Sequence, residues 1–227
     1  MARALEVLFV DNHLLVVAKP AGVAAVPDDS GDESLYDTAK EWVRREFEKP
    51  GDAFLGIVHR LDRPVSGVMV FARTTKGASR LSEQFRSRLA HKSYWGVGEG
   101  NVLAEAGALS QWLEKDERTN RVRVLDHPGR QAKQAITRWR VIERRPGRTL
   151  FEFTPETGRP HQLRVAAATL GTPLLGDLKY GASAPLADKS IALHAFALEL
   201  AHPTRAERLR FTTRAPKLPE WEFDATK

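Results

Sequence analysis

Between residues 108 and 154 charged and apolar side chains take turns along several short runs. Arg121 and Arg123 alternate with Val122 and Val124, and Arg138 and Arg140 alternate with Thr137, Trp139 and Val141. A period of two sends successive side chains to opposite faces of a strand, so each run has one face to bury and one for water. Strands of this kind belong to antiparallel sheet. A doubly wound parallel sheet is covered on both faces, and its strands read as unbroken apolar runs. The pattern predicts strands around 108–113, 120–125, 132–143 and 148–154.

Other elements follow from local signals. Residues 5–18 read as a hairpin, because two apolar runs flank the turn-forming Asp11-Asn12-His13. Ser34 with Asp37 three residues on has the capping-box pattern, and Leu35, Ala39, Trp42, Val43 and Phe47 recur at helical spacing. Lys40, Arg44, Arg45 and Lys49 fall elsewhere around that helix. Thr74-Thr75 precedes a second helix with Leu81, Phe85 and Leu89 on one face, and a third runs between Pro160 and Gly171. Lys92–Gly98, Ile191–Leu200 and Leu209–Thr212 read as strands, and the polar tail from Pro216 is expected to be loose. No composition break or internal repeat places a linker. The expectation is one α+β domain over residues 1–227, with a mostly antiparallel mixed central sheet and flanking helices.

Composition narrows the chemistry. The 227 residues include no cysteine, which removes disulfides, thiolate metal sites and thiol catalysis. None of the seven histidines falls in a familiar ligand spacing, so no metal site is expected. The start has no apolar segment long enough for a signal peptide, and no run approaches a membrane span, so a cytoplasmic protein is expected. The net charge is +6, with arginine well in excess of lysine. Guanidinium groups suit a polyanion, although a charge this modest is also common in proteins that bind no nucleic acid.

The stretch Phe54–Arg73 is the richest in chemistry. Its apolar runs, Phe54–Val58 and Val68–Ala72, have the residue types of strands buried on both faces. Between them His59-Arg60-Leu61-Asp62-Arg63-Pro64-Val65-Ser66-Gly67 presents one carboxylate beside two arginines, on a backbone fixed by Pro64 and Gly67. Cationic neighbours keep a carboxylate charged, as site chemistry would require. The plainer alternative is a surface turn in which Asp62 pairs with Arg60 or Arg63. Taken residue by residue, Lys19 reads as a solvated turn lysine, Tyr94 as a half-buried core tyrosine and Arg164 as a surface helix arginine. His59, His161 and His194 read as hydrogen-bonding scaffold, Trp42, Trp112 and Trp139 as core, and Gly67, Gly158 and Gly176 as backbone geometry.

Four segments in order change the weight of these alternatives. They are Lys19-Pro-Ala-Gly22; His59-Arg-Leu-Asp62 with Ser66-Gly67; Thr157-Gly-Arg-Pro-His-Gln-Leu-Arg164 with Gly176-Asp177 and Tyr180-Gly181; and Leu193-His194 with His202-Pro203. Together they resemble the RluA-type RNA pseudouridine synthase family. The resemblance implies a pseudouridine-synthase-type domain with a catalytic cleft that turns uridine into pseudouridine in ribosomal or transfer RNA without a cofactor. It implies that Asp62 is the catalytic carboxylate and that Arg164 pairs with it. Tyr94 would stack on the base and help remove the C5 proton, and Leu193 would pack on the other side. Arg60 would enter the vacated stack or touch phosphate, and Lys19 would meet phosphate. Val65 departs from the family, which usually has Thr there. With the aspartate at position 62, the expectation is a catalytic domain without an N-terminal S4 domain, acting as a monomer with RNA as its partner. Two other readings stay open. A carboxylate-dependent glycoside hydrolase would need a second carboxylate from Glu152, Glu156 or Asp177. A catalytically inactive RNA-binding protein of the same fold would need no chemistry from Asp62.

Overall fold

A computed structural model describes residues 4–48 and 50–224. Contacts divide the chain into two compact units, one from residues 1–91 with 197–213 and one from residues 92–196 with 214–227.

The first unit opens with the expected hairpin, β1 (Glu6–Val10) and β2 (Leu14–Lys19). Asp11 closes its turn, because its Oδ1 accepts from the N–H groups of both His13 and Leu14 at 2.8 Å. A two-residue strand, β3 (Gly56–Ile57), pairs with β4 (Ser66–Ala72), and β4 also runs antiparallel to β2 with Lys19 opposite Gly67. Every residue of β4 is buried, as its apolar run requires. The run Phe54–Val58 corrects the expectation of a second fully buried strand. Only two of its residues pair, and Phe54 and Ile57 are 47% and 46% exposed, because this segment has sheet on one side only. Helix α1 (Leu35–Glu46) carries the capping box in full and buries Leu35, Ala39 and Val43. Trp42 is half-buried, Phe47 is exposed under the Arg73 guanidinium, and Lys49 lies outside the described residues. In α2 (Thr75–Arg86) the Thr74 hydroxyl accepts from the Gly77 N–H and Leu81 is buried, while Leu89 lies beyond the helix and is exposed. Leu14, Val16, Val68, Val70 and Leu81 form the core with Leu198 and Leu200.

In the second unit β5 (His91–Glu99), β6 (Ala106–Asp116), β7 (Arg121–Leu125), β8 (Lys133–Arg145) and β9 (Arg148–Pro155) pair antiparallel in the order β5-β9-β8-β6-β7. The period-two prediction holds except near the end of β7, where Val124 is 44% exposed. Arg121, Arg123, Arg138 and Arg140 are exposed, whereas Val122, Thr137 and Trp139 are buried. Cross-strand carboxylates meet three of these arginines: Glu114 for Arg123, Glu156 for Arg138 and Glu152 for Arg140. Helix α3 spans Gln162–Thr169, two residues later than Pro160 suggested, and Gly171 ends it at φ +74°. Strand β10 (Leu193–Ala201) begins in the second unit and ends in the first, where Ala197–Ala201 pairs with β11 (Arg208–Thr212).

The tail corrects another expectation. Trp221 and Phe223 are buried at 4% and 1% exposure, packed with Val97, Leu150 and Ala192. Two aromatic side chains are enough to hold a polar segment against the core. Among the described residues no helix is long and apolar enough to cross a membrane. The α+β class and the antiparallel pairing expected from the sequence are those observed.

Candidate active site

The Asp62 loop is built from below. Lys19, the last residue of β2, is 1% exposed, and its Nζ donates to the carbonyl oxygens of Pro20 at 2.9 Å and Arg63 at 3.1 Å. The N–H of Gly22 donates to the same Arg63 oxygen, and the N–H of Val65 donates to the Asp62 oxygen. These bonds fix the turn on both sides of Asp62, whose own side chain is half-buried. Burial pushes the Lys19 ammonium down to about 7, against the pull of the Asp62 carboxylate. The lysine expected in solvent or at phosphate is therefore a buried strut beneath the aspartate.

Neighbouring residues divide the work. Arg63 turns away and forks onto Asp28 and Asp32 at 2.7–2.8 Å, so it ties the 28–32 loop to the turn. Arg60 is exposed. His59 accepts the Val70 N–H at Nε2 and stacks on Phe85 with ring centroids 4.7 Å apart, which makes it scaffold, as expected. Val65 is 2% exposed, so a threonine there would bury a hydroxyl that needs a partner. The Thr-to-Val departure suits the packing at this position.

A second cluster belongs to the other unit. Arg164 on α3 is 6% exposed and grips Asp177 in two places, Nε to Oδ2 at 2.7 Å and Nη2 to Oδ1 at 2.6 Å. This fork is the strong, directional form of a charged hydrogen bond, and it fixes the plane of the guanidinium. Tyr180 lies under it, with its ring centroid 5.1 Å from Cζ. The Tyr180 hydroxyl accepts from the Val122 N–H at 2.9 Å and lies 2.7 Å from His161 Nδ1. His161 sits at φ +50°, a left-handed conformation unusual for a side chain with a Cβ. Gln162 satisfies all four of its side-chain bonds, to Thr157, Arg159, Ile136 and Thr137. It thereby clamps the segment before α3 onto β8. Arg164 is thus a buried, aimed cation, not a surface one.

Tyr94 on β5 is 9% exposed and stands opposite Phe153 of β9. Leu193 is 4% exposed at the start of β10, and the buried His194 meets Trp221 edge-on. Trp139 is core, while Trp42 and Trp112 are half-buried. Gly176 needs its freedom, since φ is +81° and a Cβ there would lie 2.5 Å from the Ser190 oxygen. The three carboxylates a glycoside hydrolase could recruit are all engaged: Glu152 by Arg140, Glu156 by Arg138 and Asp177 by Arg164.

Comparisons with known proteins point one way. Residues 13–169 match the family model described as RNA pseudouridylate synthase. The chain is 37% identical to an uncharacterized RNA pseudouridine synthase of Zymomonas mobilis, over 94% of each chain. It is 33% identical to the dual-specificity RNA pseudouridine synthase RluA of Haemophilus influenzae, over 93% of each. It spans 66% of a longer relative, the ribosomal large subunit pseudouridine synthase D of Xylella fastidiosa, at 34% identity. Among solved structures, human RNA pseudouridylate synthase domain containing 4 superposes with a TM-score of 0.77 at 26% identity, covering 93% of this chain and 89% of that one. A carboxylate braced by a buried lysine, a forked buried arginine and this set of relatives agree: the chain belongs to the RNA pseudouridylate synthase family, in its RluA-type branch.

Proposed function

We propose that this protein isomerises uridine to pseudouridine within RNA, with Asp62 acting at the ribose. The observation that carries the reading is the Asp62 turn, whose backbone is tied to a buried ammonium while the carboxylate itself is left half-buried. A group positioned this way loses little freedom when it meets substrate. In the reaction the N1–C1′ bond breaks, the uracil turns, and a C5–C1′ bond forms. The C5 proton then leaves and N1 gains one, so nothing is oxidised or reduced. Asp62 serves as nucleophile at C1′ or as base for the 2′ proton. The family resemblance gives Arg164 the role of the cation that keeps Asp62 ionised and aimed. It gives Tyr94 and Leu193 the two faces of the base, and Arg60 the emptied stack or a phosphate. A paired uridine must first be flipped out, at a cost of a few kcal/mol.

The same reading takes ribosomal or transfer RNA as substrate and the chain as one catalytic domain that works as a monomer in the cytoplasm. RNA from a strain lacking the gene, complemented with wild type or Asp62→Ala, tests it by single-nucleotide mapping of pseudouridine. One or more sites should vanish on deletion and return with wild type alone. Return with Asp62→Ala would refute the role of the aspartate. Purified protein that modifies no ribosomal or transfer RNA would refute the activity.

A further inference from the structure

Lys92 lies two residues before Tyr94 on β5, so both side chains stand on the same face of the strand. That face looks onto the segment that leads into and out of α3. A Cβ at Gly98 would lie 2.7 Å from the Thr172 oxygen, and one at Gly96 would lie 2.9 Å from the Leu174 side chain. At the other end of the face, a Cβ at Gly158 would lie 3.7 Å from Lys92 Nζ, with no other atom within 4 Å. The missing side chain leaves an opening there. Among the described residues the Lys92 ammonium has no hydrogen-bond or ion-pair partner, and the N–H of the exposed Gly158 has none either. A half-buried ammonium and an exposed backbone N–H thus border one opening with no acceptor from the protein.

Structural economy does not explain this arrangement. A half-buried ammonium with no partner in the protein is partly desolvated, and that lowers the Lys92 pKa with nothing to oppose it. A methionine would fill the same volume without that cost. An anion supplied from outside would satisfy both donors. We infer that Lys92 and the Gly158 backbone seat a phosphate of the substrate RNA, next to the base held on Tyr94. The spacing fits, because one pleat step of about 6.5 Å separates the two side chains, a distance on the scale between a base and its own phosphate. Lysine is also suited to phosphate, as a compact point charge on a flexible stem.

This inference rests on the proposed role of Tyr94, and its test separates the two. The probe is a transcript of the RNA segment around the site mapped above, with wild type, Lys92→Met and Lys92→Arg compared in binding and single-turnover assays. Lys92→Met should weaken binding about fivefold to tenfold at moderate salt and reduce the slope of log K against log salt by about one. Its single-turnover rate at saturating RNA should stay within about twofold of wild type, and Lys92→Arg should keep the slope. Wild-type affinity should fall as pH rises through the titration of this lysine, and Lys92→Met should lose that dependence. The variant should unfold no lower in temperature than wild type, which separates this role from a structural one. An unchanged salt slope, or a loss of saturated rate with binding intact, would overturn the phosphate seat. If Tyr94→Leu modifies RNA as well as wild type does, the reading beneath it fails instead.

Discussion

Lys19→Met would remove a buried charge while keeping a stem of similar length, and its effect should depend on pH in a calculable way. The Lys19 ammonium titrates at about 7 in the folded protein, against 10.5 for an ordinary lysine. Below pH 7 it is charged in both the folded and unfolded chain, so the cost of desolvation is present in full. Between 7 and 10.5 the unfolded chain holds a proton that the folded one has released, and stability climbs with pH. At about 1.4 kcal/mol per unit, this one group should add roughly 2–3 kcal/mol of stability between about pH 6 and pH 9. Methionine cannot titrate. It also leaves the carbonyls of Pro20 and Arg63 short of a donor, at a cost of about 1–3 kcal/mol. The variant should therefore fall short of wild type by several kcal/mol near pH 9 and close much of that gap near pH 6. Urea unfolding followed by the fluorescence of the five tryptophans measures both curves. Parallel pH profiles would show that Lys19 is not a desolvated ammonium, and the account of the Asp62 turn would fall with it.

Asp177→Asn should destabilise the protein by about 3–5 kcal/mol, since it leaves the buried Arg164 guanidinium without its counter-charge; a loss under about 1 kcal/mol in the same unfolding assay would refute this. Pseudouridine formation should fall as well, because the fork no longer fixes the guanidinium plane. Phe223→Ala should cost about 3–5 kcal/mol by opening a cavity against Val97 and Leu150. A loose tail would make the same change silent in thermal unfolding.

What could be read from the sequence was whatever has a local period or a local cap. Strands β7 and β8 announced themselves through arginines every second residue, and Ser34 with Asp37 marked the start of α1. Features set by distant contacts could not be read. The burial of Lys19 depends on the register of β2 with β4, where Gly67 stands opposite it, and a lysine before a proline carries no sign of that. Asp177 lies thirteen residues from Arg164, too far apart for any helical or strand spacing to join them. Trp221 and Phe223 are two aromatic residues in a polar segment, without the repeat that betrays a buried face. Asp62, Tyr94, Arg164 and Leu193 stood out through a family resemblance, whereas Lys92 in a half-polar strand gave no signal at all.

The interleaving of the two units along the chain has a consequence during synthesis. The core of the first needs Leu198 and Leu200, and that of the second needs Trp221 and Phe223. Domains ordinarily fold one after another as the ribosome delivers them, at about 5–20 residues per second. Here neither unit has its core until some two hundred residues have been made. A nascent chain of this protein therefore leaves the apolar run Val68–Ala72 of β4 incompletely covered for most of its translation. It depends on shielding over that interval, and a stall before β10 would release a chain whose β4 lacks the cover of Leu198 and Leu200.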